Sequence, residues 1–357
     1  MSGTLLALAG LVLLGPPEVE LERLRAALER EPEDVELRHA FAGQAIEAGR
    51  LVEAEKALRE VLRRAPDRLD AALDLAMLLL DTRRTEQALP LLERVVEAAP
   101  ADEDALSGLV SALIDLGRPT DALLRLQQPS DRLLPLRAFA QLRAGNTAKA
   151  LDDIGTCLER RPDEWPLRVL AAVAFAVGGR LEAADREVDL AAERAPATAA
   201  NVPYARAFVA FLRGNVTLAQ RSMAEARAKA PGAFEPASTS FTPMAFATSD
   251  EVIFLDWASK LPDGPLLRTP ALELTMGRAS PAKTLSCTRA TVMAAVLESP
   301  ERLARCEATR VPFTLTARGL DARGAAGRCL EAATATARPP LPDGVTCRAA
   351  LTLQSSP

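Results

Sequence analysis

"IEAGRLVEAEKAL", residues 46–58, places a glycine between two runs of apolar and charged residues, and its reading decides the fold. Ile46 and Glu47 close one helical pattern, Gly49 supplies a turn, and Leu51, Ala54 and Leu58 resume an apolar spacing of three and four. The arrangement recurs: Pro32, Pro66 and Pro100 stand 34 residues apart, as do Pro162 and Pro196. Ala54, Ala88 and Ala122 keep the same period, as do Phe41, Leu75 and Leu109 and the turn positions Gly49, Arg83 and Gly117. Such an interval holds two helices of about a dozen residues and two short turns, so each repeat is a helical hairpin.

Small residues such as Ala42, Ala76, Ala54 and Ala88 let paired helices approach closely, while the leucines, valines and isoleucines fill the space between hairpins. The turn glycine ends the first helix and the proline the second. Through these alanines, turn glycines and closing prolines the chain resembles the tetratricopeptide repeat family, over about residues 18–235. The expected fold is an all-α superhelix of about six hairpins, at 35–68, 69–102, 103–130, 131–164, 165–198 and 199 to about 233, followed by a small α+β domain. Residues 18–31 read as the second helix of an incomplete repeat that covers the first full one. The third repeat is short, because Gly117 and Gly145 are only 28 residues apart, and the sixth carries an extra residue before Pro231.

The 43 basic and 48 acidic residues are balanced without a run of Lys or Arg, which argues against a nucleic-acid partner. Residues 1–17 form an apolar leader, Leu5 to Leu14 followed by Gly15-Pro16-Pro17, too short for a stable membrane span. It reads either as signal-like or as a tail docked on the first repeat. Periodicity stops after Pro236. Residues 236–250 read as a linker and 251–357 as a small cysteine-containing domain, with period-two strands in "ALELTM", "VPFTLTA" and "CRAALTL" and helices over 299–309 and 325–337. Cys287, Cys306, Cys329 and Cys347 lie here. They fit either disulfides, in any of three pairings, or buried thiols, and no close cysteine pair offers a zinc site. Residues 297–353 faintly resemble TonB-type carboxy-terminal domains, except that the second strand expected after Ala317 is missing.

No hydrolase, metalloprotease, phosphate-loop or dinucleotide motif occurs, and no cofactor is expected. His39 and Cys157 read as structural. The family resemblance implies a trough lined by the first helix of each repeat. It places there Glu47, Asp81 and Asp115, two residues before the turn position, and Glu36, Asp70 and Asp104, four after the closing proline. The second set suits helix N-termini, whereas the first lies near helix C-termini, where a carboxylate is unfavourable. In later repeats the corresponding positions turn apolar or basic, through Phe139, Arg143, Val169, Val173 and Phe211.

These residues suggest a non-catalytic adaptor that binds a protein or peptide, one with basic residues at the acidic end. The family's chaperone-binding carboxylate clamp uses Lys, Arg and Asn, so acidic residues here argue against that ligand. Two other readings stay open: an assembly factor of the cell envelope or periplasm, as opposed to a cytoplasmic adaptor, and an enzyme with its site in 238–357.

Overall fold

The structure, a computed structural model, describes residues 16–231, 249–259, 271–276, 287–298, 300–303, 306, 310–337, 339, 341 and 345–354. Most of the apolar leader and of the expected linker therefore lies outside the described residues. Pro16 and Pro17 open the first helix, and Ser249 and Asp250 belong to a helix rather than to a connector. The chain divides into two compact units between Arg125 and Leu126.

The first unit holds α1 (Pro16–Arg30), α2 (Val35–Glu47), α3 (Leu51–Arg64), α4 (Leu69–Asp81), α5 (Thr85–Ala98), α6 (Glu103–Asp115) and α7 (Pro119–Arg125). Each hairpin turns the same way. At the first, Gly49 adopts φ 71°, its N–H donates to the Ile46 carbonyl at 2.9 Å, and Arg50 N–H donates to that of Ala45 at 2.7 Å. Arg83 holds the equivalent place at φ 62°, a conformation that costs a side chain about 1–2 kcal/mol. Ala42, Ala54, Ala76 and Ala88 are fully buried at the helix contacts. The third repeat's second helix, α7, has only seven residues, as its short interval requires.

In the second unit, α8 (Leu134–Arg143), α9 (Thr147–Arg160), α10 (Trp165–Val177), α11 (Leu181–Arg194), α12 (Asn201–Arg213) and α13 (Val216–Lys229) continue the hairpins. Cys157 is buried beside Leu134 and Leu167, as a core residue. The extra residue of the last repeat lies before its turn. The left-handed turn residues Gly179 and Gly214 are 35 apart, whereas Gly214 to Pro231 keeps the same 17 residues as Gly49 to Pro66.

After these come α14 (Ser249–Ser259), β1 (Ala271–Met276), α15 (Arg289–Val296), α16 (Pro300–Leu303), β2 (Arg310–Thr316), β3 (Gly319–Ala322), α17 (Gly324–Ala333) and β4 (Thr346–Gln354). The strands form an antiparallel sheet in the order β1-β4-β2-β3. β3 corrects the expectation that no strand follows Ala317, since four residues are too few for an alternation to show. Cys287 is disulfide-bonded to Cys347 and Cys306 to Cys329. The first bond ties the start of α15 to β4 and the second joins the residues after α16 to α17.

This segment packs on the last repeat. Arg289 donates from Nε to the Leu212 carbonyl at 2.7 Å and from Nη1 to that of Leu274 at 3.0 Å, so one guanidinium joins α15, α12 and β1. Gly214 lies against β1, and a Cβ there would meet that of Leu272 at 2.7 Å.

Candidate protein-interaction face

Residues on one side of a helix recur at three, four and seven. On α2 the side left open carries Glu36, His39, Gly43 and Glu47. On α4 it carries Asp70, Asp74, Met77 and Asp81, and on α6 Asp104, Ser107, Ser111 and Asp115. None of these is buried, whereas Phe41, Ala42 and Ala45, or Leu75, Ala76 and Leu79, form the core behind them. Two contacts join the stripes into a single surface. His39 Nε2 lies 2.7 Å from Asp74 Oδ2, bridging α2 and α4, and a Cβ on Gly108 of α6 would stand 3.1 Å from Met77 Sδ.

The two acidic columns differ in charge balance. At the N-terminal end Arg68 hydrogen-bonds Glu36, donates to both oxygens of Asp70 at 2.8 and 2.6 Å, and reaches His39 Nδ1 at 3.2 Å. The Arg68 hydrogen bond, helped by the Ala71 N–H, holds the Asp70 carboxyl well below the usual carboxylate range. At the other end Glu47 receives a hydrogen bond from Gln44 of its own helix, at 2.8 Å, and Asp81 is exposed beside the Arg83 turn. The arginines that follow the turn residues are engaged elsewhere: Arg50 with Glu18, Arg84 with Glu55 and Arg118 with Asp121. Between the columns Met77 remains 39% exposed, a flexible apolar side chain on an acidic surface.

The sequence pattern identifies both columns but passes over Met77, and it reads His39 as structural. The 34-residue period contained the signal, because Met77 lies seven residues after Asp70 and four before Asp81, on the same side. A second concavity, of about 860 Å³, lies on α1, α2 and α3 and is lined by Arg25, Phe41, Val52 and Lys56 among others. Several of its arginines are already paired with carboxylates, Arg25 with Glu53, Arg59 with Glu55 and Arg64 with Glu60.

In the later repeats the expected apolar contacts are mostly core. Phe139 and Val173 are 8% and 4% exposed, and Phe211 is fully buried between Phe254 and Trp257, with ring centroids 5.3 and 4.7 Å away. These three offer no side-chain surface to a partner, because neighbouring elements cover them. Val169 and Arg143 are half-buried. Among the described residues no group of three or more His, Cys, Asp or Glu could hold a metal, and no helix is long and apolar enough to cross a membrane.

The family model described as Tetratricopeptide repeat matches residues 45–89 and 79–132. No curated protein matches the chain in sequence. Among solved structures, the chain is similar to a tetratricopeptide repeat protein from Parabacteroides merdae, at 18% identity and TM-score 0.54, over 60% of this chain and 87% of that one. It is also similar to YrrB, a protein with an unusual peptide-binding site, at 20% identity and TM-score 0.41 over 49% and 94%. MamA from Desulfovibrio magneticus aligns at 14% identity and TM-score 0.42 over 45% and 94%. In sequence pattern and in fold, the helical-hairpin region of this chain is a tetratricopeptide repeat array.

Proposed function

We propose that this chain is a non-catalytic adaptor whose first three repeats bind a protein segment that carries basic residues around an apolar one. The observation that carries the reading is the pair of exposed carboxylates Glu47 and Asp81, to which no arginine among the described residues is bonded, beside exposed Met77 on a surface made continuous by the His39–Asp74 contact. Asp115 continues the column on α6. Carboxylates at helix C-termini are unfavourable for the helices that bear them, so stability does not account for the column. A cationic segment would gain from it in affinity and in encounter rate, and the gain would fall with salt. The disulfide pairs favour an oxidising compartment such as the cell envelope.

The test uses labelled synthetic peptides, one series with Lys and Arg flanking Leu and a matched series with Glu. Binding to the full chain and to its Glu47→Ala, Asp81→Ala, Asp115→Ala triple variant is read by fluorescence anisotropy at low and moderate salt. The basic series should bind the native chain more tightly by about tenfold or more, and the triple variant should lose that preference. Equal affinity for the two series, or a variant that binds as the native chain does, would refute the reading.

A further inference from the structure

Counted back from the left-handed turn residue, the position six before it is Gly43, Met77 and Ser111 in the first three repeats and Phe208 in the last. Ten before it stand His39, Leu73 and Ser107, and then Tyr204. The side of α12 that corresponds to the open stripe of α2, α4 and α6 therefore carries Tyr204 and Phe208, with Phe211, three before the turn, at its edge, and it is covered. Phe254 of α14 sits against all three, with ring centroids 5.9, 5.6 and 5.3 Å away, and Trp257 stacks on Phe211. Tyr204 Oη donates to Glu251 Oε1 at 3.2 Å, next to the start of the covering helix. A helix from outside the repeat thus lies where a partner lies in the proposed reading of the first repeats.

The fit has a flaw. Asp250, 3% exposed, stands at the start of α14, and its Oδ1 has no hydrogen-bond partner among the described residues. An unsatisfied buried acceptor weakens the seating of α14 as a whole, which the aromatic burial alone would make strong. A competing helix without that carboxylate would have the advantage. α14 is also carried by its neighbours, through Trp257 Nε1 donating to the Leu297 carbonyl at 3.1 Å and Arg227 Nη2 to that of Ala258 at 3.4 Å.

We propose that α14 is a resident ligand of the last repeat: an autoinhibitory helix occupying a helix-binding face on α12. That face takes a helix with two aromatic residues three apart, preceded by an acceptor for the Tyr204 hydroxyl. This extends the reading of the first helices as the partner face, but it is tested at different residues, so either can fail alone.

The probe is a fluorescein-labelled peptide of residues 249–259 carrying Asp250→Asn, added to the native full chain and to its Phe254→Ala, Trp257→Ala double variant. The vacated face of the double variant should bind the peptide more than about tenfold more tightly than the native chain does. Adding Phe208→Glu to that variant should abolish the binding. Equal affinity for native chain and double variant, with helical circular dichroism retained, overturns the proposal. Hydrogen exchange on the native chain decides the case if the variant does not fold. The α14 amides should exchange through a local opening that the peptide promotes, and exchange of α14 together with α12 at the slowest rate, unchanged by peptide, overturns it.

Discussion

Met77 and Phe208 hold the same place in their repeats, six residues before the left-handed turn, yet one is 39% exposed and the other fully buried. The backbone frame is common to both. What differs is the chemistry laid on it: acidic residues with one flexible apolar side chain on α4, and a set of aromatics on α12. The frame thus fixes which side of each first helix is available, and the side chains decide whether it stays open or is met by the chain's own α14. Exchanging chemistry between the two ends is the most direct way to break the contrast.

Phe208→Glu would remove a buried aromatic and leave an unpaired carboxylate against Phe254. A loss of more than about 4 kcal/mol in the stability of the second unit is expected, read by urea unfolding. Met77→Glu should change stability by less than about 1 kcal/mol, because that side chain is on the surface. Similar losses in the two variants would mean that the two faces do not differ as described.

The turns repeat the contrast on a smaller scale. Gly49 and Gly214 both have positive φ, 71° and 84°, but a Cβ at Gly49 meets nothing within 4 Å while one at Gly214 overlaps Leu272. Gly49→Ala should cost about 1–2 kcal/mol, the strain of a side chain in a left-handed turn. Gly214→Ala adds overpacking and should cost about 2–4 kcal/mol, with β1 displaced from the last repeat. Thermal unfolding of both variants measures the difference, and equal shifts would show that β1 yields freely at this turn.

How much of this was legible in the sequence follows from the same physics. Six hairpins were readable because Pro, Gly and Ala recur at fixed positions, each for a backbone or packing reason that neighbouring elements do not alter. Counting from Pro196 misplaces the register of the last repeat. The extra residue precedes Gly214, so Tyr204 and Phe208 hold the positions of the face in question, Leu212 rather than Phe211 stands two before the turn, and Phe211 flanks them. Helix α14 went unread because "SDEVIFLDWAS" carries apolar residues on every side. A helix packed between several neighbours has that pattern, and it leaves no period to detect. The disulfide pairing needed three-dimensional proximity. Nor could the pairing of Glu36 and Asp70 with Arg68 be read off, since Arg68 and Glu36 meet only across stacked repeats.

Asp250 sharpens the covered end through pH. Burial, opposed only by the Thr288 hydrogen bond, raises its carboxyl from 3.8 to about 6. A raised folded-state pKa means that the stability it gives is fully present below about 4 and is lost as pH rises through about 6. At neutral pH the native chain therefore carries a penalty of up to about 3 kcal/mol, because each tenfold weakening of the acid is worth about 1.36 kcal/mol. Asp250→Asn should be more stable than the native chain at pH 7, and the two should converge near pH 4. A constant difference across that range would rule out an ionisable carboxylate as the source.

The smallest effect belongs to the open end. Removing the Arg68 side chain breaks its links to Glu36, Asp70 and His39, all of which are partly or largely exposed. Asp70 has a depressed pKa, so the stability Arg68 lends it is present above the ordinary carboxylate range and is lost as pH falls. For groups this exposed, solvent screening limits the loss in Arg68→Ala to less than about 1 kcal/mol at neutral pH, falling further with salt. The consequence for binding has the opposite sign. Glu36 and Asp70 lose their cation and join Glu47 and Asp81 in facing a ligand, so a basic peptide should bind the variant about threefold more tightly at low salt. A stability loss accompanied by weaker binding of that peptide would mean that Arg68 orders the face rather than masks it, and that the N-terminal column contributes shape to recognition instead of charge.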